Sequence, residues 1–181
     1  MPNWVKNIVS FSDPKALKHM LVKDKNGKDY FDFNQAIPMP KELEDNNWQY
    51  PDTRTSEQIK ELEKKYGASD WYHWRLINWG TKWNASEVYV IDDYTVEFDT
   101  AWSTPAPVIQ ALSMMFPNTR VHVEYADEDL GNNCGRYTYI NADLCESTNA
   151  AFSDDALKFA CDVWGLDYEE ELREREEWDN E

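Results

Sequence analysis

The stretch EVYVIDDYTVEFDT, Glu87 to Thr100, alternates apolar and polar residues on either side of the pair Asp92-Asp93. This pattern predicts two antiparallel strands joined by an acidic turn. Val88 and Val90 share one face of the first strand, and Tyr94, Val96 and Phe98 share the inner face of the second. Downstream, Ser103-Thr104-Pro105 opens a helix with an apolar stripe of Val108, Ile109, Leu112, Met115 and Phe116, and Pro117 ends it. RVHVEYA alternates through Val121, Val123 and Tyr125 and reads as a strand. GRYTYIN, after the loop DEDLGNNCG, reads as another.

Upstream, WVKNIVSF (residues 4–11) is rich in β-formers and predicts a first strand. Ser12 or Asp13 then caps a helix with Pro14 at its first position, and Leu17, Met20 and Leu21 give its inward face. Asn26-Gly27 signals a turn, and KDYFDFN a short strand. Residues 35–56 carry three prolines and little periodicity, which predicts a long loop or insertion. Ser56 opens a capping-box pattern, and SEQIKELEKKYG is helical with Ile59, Leu62 and Tyr66 inward and Gly67 as its stop. Near the other end, Ser153 caps the helix SDDALKFACDVWG, with Leu157, Ala160, Cys161 and Trp164 inward. With the insertion removed, the first part reads βαββαβ. That is an α+β, ferredoxin-like antiparallel sheet with helices on one face. The expected organisation is a ferredoxin-like domain over 1–150, with an insertion at about 35–70, and a C-terminal helical extension over 151–181.

The stretch WYHWRLINWGTKWNA, Trp71 to Ala85, holds four tryptophans. Read as a strand, it puts Trp71, His73 and Arg75 on one face and Tyr72, Trp74 and Leu76 on the other, with Gly80 breaking it. The rings then either plug the sheet or form a rigid contact surface. The candidate binding residues are Arg75, Trp79, Thr81, Lys82, Trp83 and Trp102.

The chain has 181 residues, 41% hydrophobic and 14% aromatic, enough for one core built largely of rings. Its net charge of −17 opposes direct binding to nucleic acid or to an anionic membrane and permits a basic protein partner. No run of about 18 apolar residues predicts a membrane span, and the first residues lack a signal-peptide pattern. Cys134, Cys145 and Cys161 form no metal or disulfide spacing, so a reducing cytoplasm is expected. Residues 167–181 carry nine acids and two arginines. Glu169–Arg173 and Glu171–Arg175 sit at helical spacing. Glu169, Glu170, Glu171, Glu174, Glu176 and Glu177 are the candidate acidic contacts for a basic partner.

His19, His73 and His122 stand in no recognisable spacing with a nucleophile. The acids at Asp92-Asp93 and Asp127-Glu128-Asp129 fall in turns, where Asp is favoured for its backbone geometry, and there is no phosphate-binding glycine motif. No cofactor, metal or catalytic residue is expected.

The opening MPNWVKNIV, the segment IPMPKEL, the core WYHWRLINWGTKWNA and the run FDTAWSTPAPVIQALSMMFP resemble the YubB-like family of phage and plasmid proteins. The resemblance covers most of residues 1–141 and implies a ferredoxin-like domain and a mobile-element origin. It brings no enzymatic activity and no catalytic residues, and it does not reach the acidic helix after Asp167. The expected function is a non-enzymatic accessory protein in the host cytoplasm that binds, and in its specific form inhibits, a host defence protein with a basic surface. The rivals are a binder of a small anionic ligand such as a nucleotide, through Arg75 and Lys82, and a virion or assembly component.

Overall fold

The computed structural model describes residues 2–44 and 54–178. Strand β1, Trp4–Phe11, alternates half-buried and buried positions along its whole length. Helix α1, Pro14–Met20, is capped by Asp13, whose carboxylate accepts from the Lys15 N–H at 2.9 Å. Leu21, expected on that helix, instead opens β2 (Leu21–Lys23), which pairs with β3 (Asp29–Phe31) in a small separate hairpin. A 3-10 turn at Phe33–Gln35 and α2 (Lys41–Glu44) follow. The middle of the expected loop, 45–53, lies outside the described residues. Helix α3, Ser56–Tyr66, starts one residue earlier in its capping than expected: Thr55, not Ser56, is the N-cap, in a reciprocal box with Gln58.

Trp71–Asn78 is helix α4 rather than a strand. Asp70, 3% exposed, caps it by accepting from the His73 N–H at 2.9 Å. Helical spacing brings Trp71, Trp74, Arg75 and Asn78 to one side, which a strand reading divides between two faces.

The remaining elements are β4 (Ser86–Val90), β5 (Thr95–Ala101), α5 (Ala106–Met115), β6 (Val121–Asp127), β7 (Cys134–Ile140), β8 (Asp143–Ala150), α6 (Asp154–Trp164) and α7 (Tyr168–Trp178). Six strands form one antiparallel sheet in the order β4-β5-β1-β6-β7-β8. The unit β1-α1-β4-β5-α5-β6 therefore has the ferredoxin-like arrangement, with β1 between β5 and β6, and β7 and β8 widen the sheet beyond β6. The register pairs Val9 with both Val96 and Val123, so these apolar residues share one face. On that face they form the main core with α1 and α5 through Leu17, Met20, Val108, Ile109 and Leu112.

The opposite face of the sheet carries Lys6, Ile8, Glu97, Asp99, Glu124 and Ala126. Helix α6 packs there, joining Ala126 and Cys134 to Leu157, Ala160 and Cys161 in a second core. Strand β8 was not legible in the sequence. It is an edge strand exposed on both sides, so DLCESTNA shows no apolar alternation. Three side chains expected on apolar inner faces are exposed: Val90 (41%), Tyr94 (48%) and, in the last turn of α5, Met115 (46%). A register shift between Ser86 and Tyr89 rotates the end of β4 away from the core, and Tyr94 belongs to the turn.

Candidate binding groove

The turn after α4 joins the insertion to the sheet. Gly80 adopts φ +77°, and a Cβ there would lie 2.9 Å from Cδ of Pro107, so glycine is required twice over. The Ser103 hydroxyl donates to the Gly80 carbonyl, and the Thr81 hydroxyl donates to the Ala101 carbonyl at 2.7 Å. These bonds fix the tip of the turn against the end of β5.

The six residues expected to form one binding surface separate into two groups. Trp79 and Thr81 are fully buried. Trp79 meets Phe33 and Trp74 edge to face, at 5.6 and 5.9 Å between centroids, and its indole N–H donates to the Ile37 carbonyl at 2.9 Å. Arg75 turns inward with them. Its guanidinium lies 5.0 Å from the Trp71 ring and 4.9 Å from the Trp79 ring, with Nε donating to the Met39 sulfur. Burial pulls the Arg75 pKa below its ordinary value, because the charged form loses water. These three residues hold the insertion to the sheet.

Lys82, Trp83 and Trp102 remain at the surface. The Lys82 ammonium sits 4.5 Å from the Trp83 ring, 5.2 Å from Trp102 and 5.8 Å from Tyr72. Trp71, Tyr72, His73, Lys82 and Trp83 line a groove of about 550 Å³. His73 holds one rim through a 2.8 Å contact between Nδ1 and Asp70. Trp102 is 40% exposed and has φ +69°, a left-handed conformation that costs a bulky residue about 1–2 kcal/mol. Its backbone is held in place by the Asn3 carbonyl, which accepts from its N–H at 2.9 Å, and by Asn133, which donates to its carbonyl at 3.0 Å. Trp4 extends the aromatic surface by packing on Trp83 at 5.7 Å. The sequence missed Trp71, Tyr72 and His73 as groove residues, and Trp4 as their neighbour, because only the helix α4 and long-range packing bring them beside Lys82 and Trp83.

The candidate acidic contacts lie on α7. Glu169, Glu170, Glu174 and Glu177 are exposed, Glu171 is half-buried, and Glu176 lies on the same helix. This helix is docked: Tyr168 and Leu172 pack on the second core, and Arg175 donates to the Leu130 carbonyl at 2.7 Å.

The histidines have structural partners. His19 contacts the Gln35 carbonyl at 3.1 Å and Phe116 edge to face, so it is half-buried between elements. His122 Nδ1 meets the Thr138 hydroxyl at 2.8 Å. Asp92 accepts from the Tyr94 N–H and Asp127 from the Asp129 N–H, as turn acids do. Among the described residues no group of three His, Cys, Asp or Glu is placed to hold a metal ion, and no helix is long and apolar enough to cross a membrane.

A family model described as a ferredoxin-like domain in Api92-like protein matches residues 78–179, from the end of α4 through the acidic helix α7. The crystal structure of a protein api92 from Yersinia pseudotuberculosis is similar at 18% identity and a TM-score of 0.40, over 67% of this chain and 40% of that one. The chain thus spans less than half the length of that relative. No curated protein matches. With more than half of its length matched, the chain belongs to the family of the ferredoxin-like domain of Api92-like proteins.

Proposed function

We propose that the protein is a non-catalytic binding protein that grips a protein partner through the groove around Lys82. The observation that carries this reading is the division of the tryptophans. Trp74 and Trp79 complete the core, whereas Trp83 and Trp102 stay part-exposed around one lysine beside a groove of about 550 Å³. Rigid indoles at an accessible groove are the side chains that dominate interface energetics. The strained backbone at Trp102 supports the same reading, since the fold tolerates a cost to hold that ring outward.

The net charge of −17 favours a partner with a basic surface, reached quickly through electrostatic steering. The resemblance to YubB-like phage and plasmid proteins gives the proposal its specific form: a mobile-element accessory protein in the host cytoplasm that occupies and inhibits a basic defence protein. The nucleotide reading has less support. It relied on Arg75 and Lys82 together, and Arg75 is stacked between Trp71 and Trp79.

The test is affinity capture from host lysate at low and high salt, with Trp83→Ala/Trp102→Ala and a chain cut after Gly165 as comparators. The expected result is a partner held by the full chain and by the shortened one, and lost by the groove variant while its circular dichroism is unchanged. A partner retained by the groove variant overturns the reading.

A further inference from the structure

On the opposite face of the sheet a second cavity, of about 310 Å³, is lined by Trp4, Ser86, Glu87, Asp99, Glu128 and Trp164. Its two aromatic walls are anchored. The Trp164 indole N–H is shared between the carbonyls of Ala126 and Asp127, at 3.0 and 3.2 Å, and Trp4 packs on Trp83. One wall already carries a cation, since the Lys6 ammonium lies 4.8 Å from the Trp164 ring.

Charge around the cavity is unbalanced. Lys6 pairs with Glu97 and stands 3.9 Å from Asp99, so it sets one positive charge against the four carboxylates of Glu87, Glu97, Asp99 and Glu128. The Asp99 side chain is 16% exposed, and Lys6 reaches its Oδ1 only at 3.9 Å, too far for a hydrogen bond, so Lys6 offsets this carboxylate less fully than it does Glu97. Burial pushes the Asp99 carboxyl above its ordinary range against the opposing charge of Lys6, and the negative charges of Glu97, Glu87 and Glu128 add to the rise.

We propose that this cavity receives an arginine side chain of the basic protein partner, with its guanidinium against the indole walls and its N–H groups directed to Glu87, Asp99 and Glu128. A guanidinium fits better than an ammonium because it is flat, stacks on aromatic rings and offers five donors to several carboxylates at once. Trp4 joins this cavity to the aromatic groove, so one partner surface reaches both. The inference rests on the reading of the protein as a binder of a basic partner, but it uses different residues.

The test is a titration of isotope-labelled full chain with N-acetyl-arginine methylamide, following the indole N–H resonances of Trp4 and Trp164. The expected result is a saturable shift at both indoles, with affinity falling about tenfold in Glu87→Gln/Asp99→Asn as charge-assisted hydrogen bonds are lost. Glu87 is exposed, so Glu87→Gln alone decides the matter if the double variant does not fold. The same variants are expected to weaken partner capture. Trp102→Ala separates the two readings: it abolishes partner capture through the groove and leaves the arginine titration unchanged. Non-saturating shifts spread over all exposed carboxylates overturn the inference. So does equal affinity in the wild type and the carboxylate variant, or partner capture indifferent to that variant.

Discussion

Replacing Trp79 by alanine tests its assignment to the core. Trp79 is fully buried, touches Phe33 and Trp74, and donates to the Ile37 carbonyl. Truncating a buried tryptophan to alanine costs about 3–5 kcal/mol. The orphaned Ile37 carbonyl adds about 1 kcal/mol. Arg75, losing one of its two stacking partners, adds about 1 kcal/mol. The total, about 5–7 kcal/mol, is comparable to the whole stability of many domains, about 5–15 kcal/mol. Urea denaturation followed by far-ultraviolet circular dichroism measures it without relying on the deleted fluorophore. With a slope of about 2 kcal/mol/M, the midpoint falls by about 2.5–3.5 M. Trp83→Ala, at a half-buried position, is the control and costs less than about 1.5 kcal/mol. A Trp79→Ala midpoint no lower than that of Trp83→Ala would refute the assignment of Trp79 to the core.

Two further outcomes test the sheet and its charged face. Gly135 in β7 faces Asn149 of β8, and a Cβ there would stand 2.2 Å from the Thr148 carbonyl. Gly135→Ala is therefore expected to peel β8 away, at a cost of about 2 kcal/mol or more, and the loss appears as faster amide exchange over 143–150 with β1 still protected. Equal exchange in both proteins would contradict the β7–β8 register. For Asp99, the raised folded-state pKa means that the native chain holds the proton more tightly than the unfolded chain. Stability from this group is present below the unfolded carboxylate pKa and is lost as pH rises through the folded one. Asp99→Asn should then match the wild type in acid and exceed it near neutrality, as read from melting temperature against pH. The opposite trend would mean that the pairing with Lys6 dominates over burial.

The sequence by itself determined the elements whose side chains meet one environment along their length. The alternation of β1, β5 and β6, the proline and Asp13 at the start of α1, and the Ser153 cap of α6 are local signals, and each element lies where it was read. Those elements were enough to give the βαββαβ order and hence the ferredoxin-like sheet. Strand β8 was illegible because an edge strand wet on both sides needs no apolar pattern. Helix α4 was misread because its tryptophans obscure the helical period, although Asp70 before Trp71 was a cap in plain view. Only the tertiary structure divided the tryptophans into core and surface. Composition fixes how many rings the chain carries, but burial depends on which distant backbone comes to lie over each. Ile37 and Phe33 cover Trp79, whereas the end of β5 and the strained turn at Trp102 leave the rings around Lys82 part-exposed to solvent.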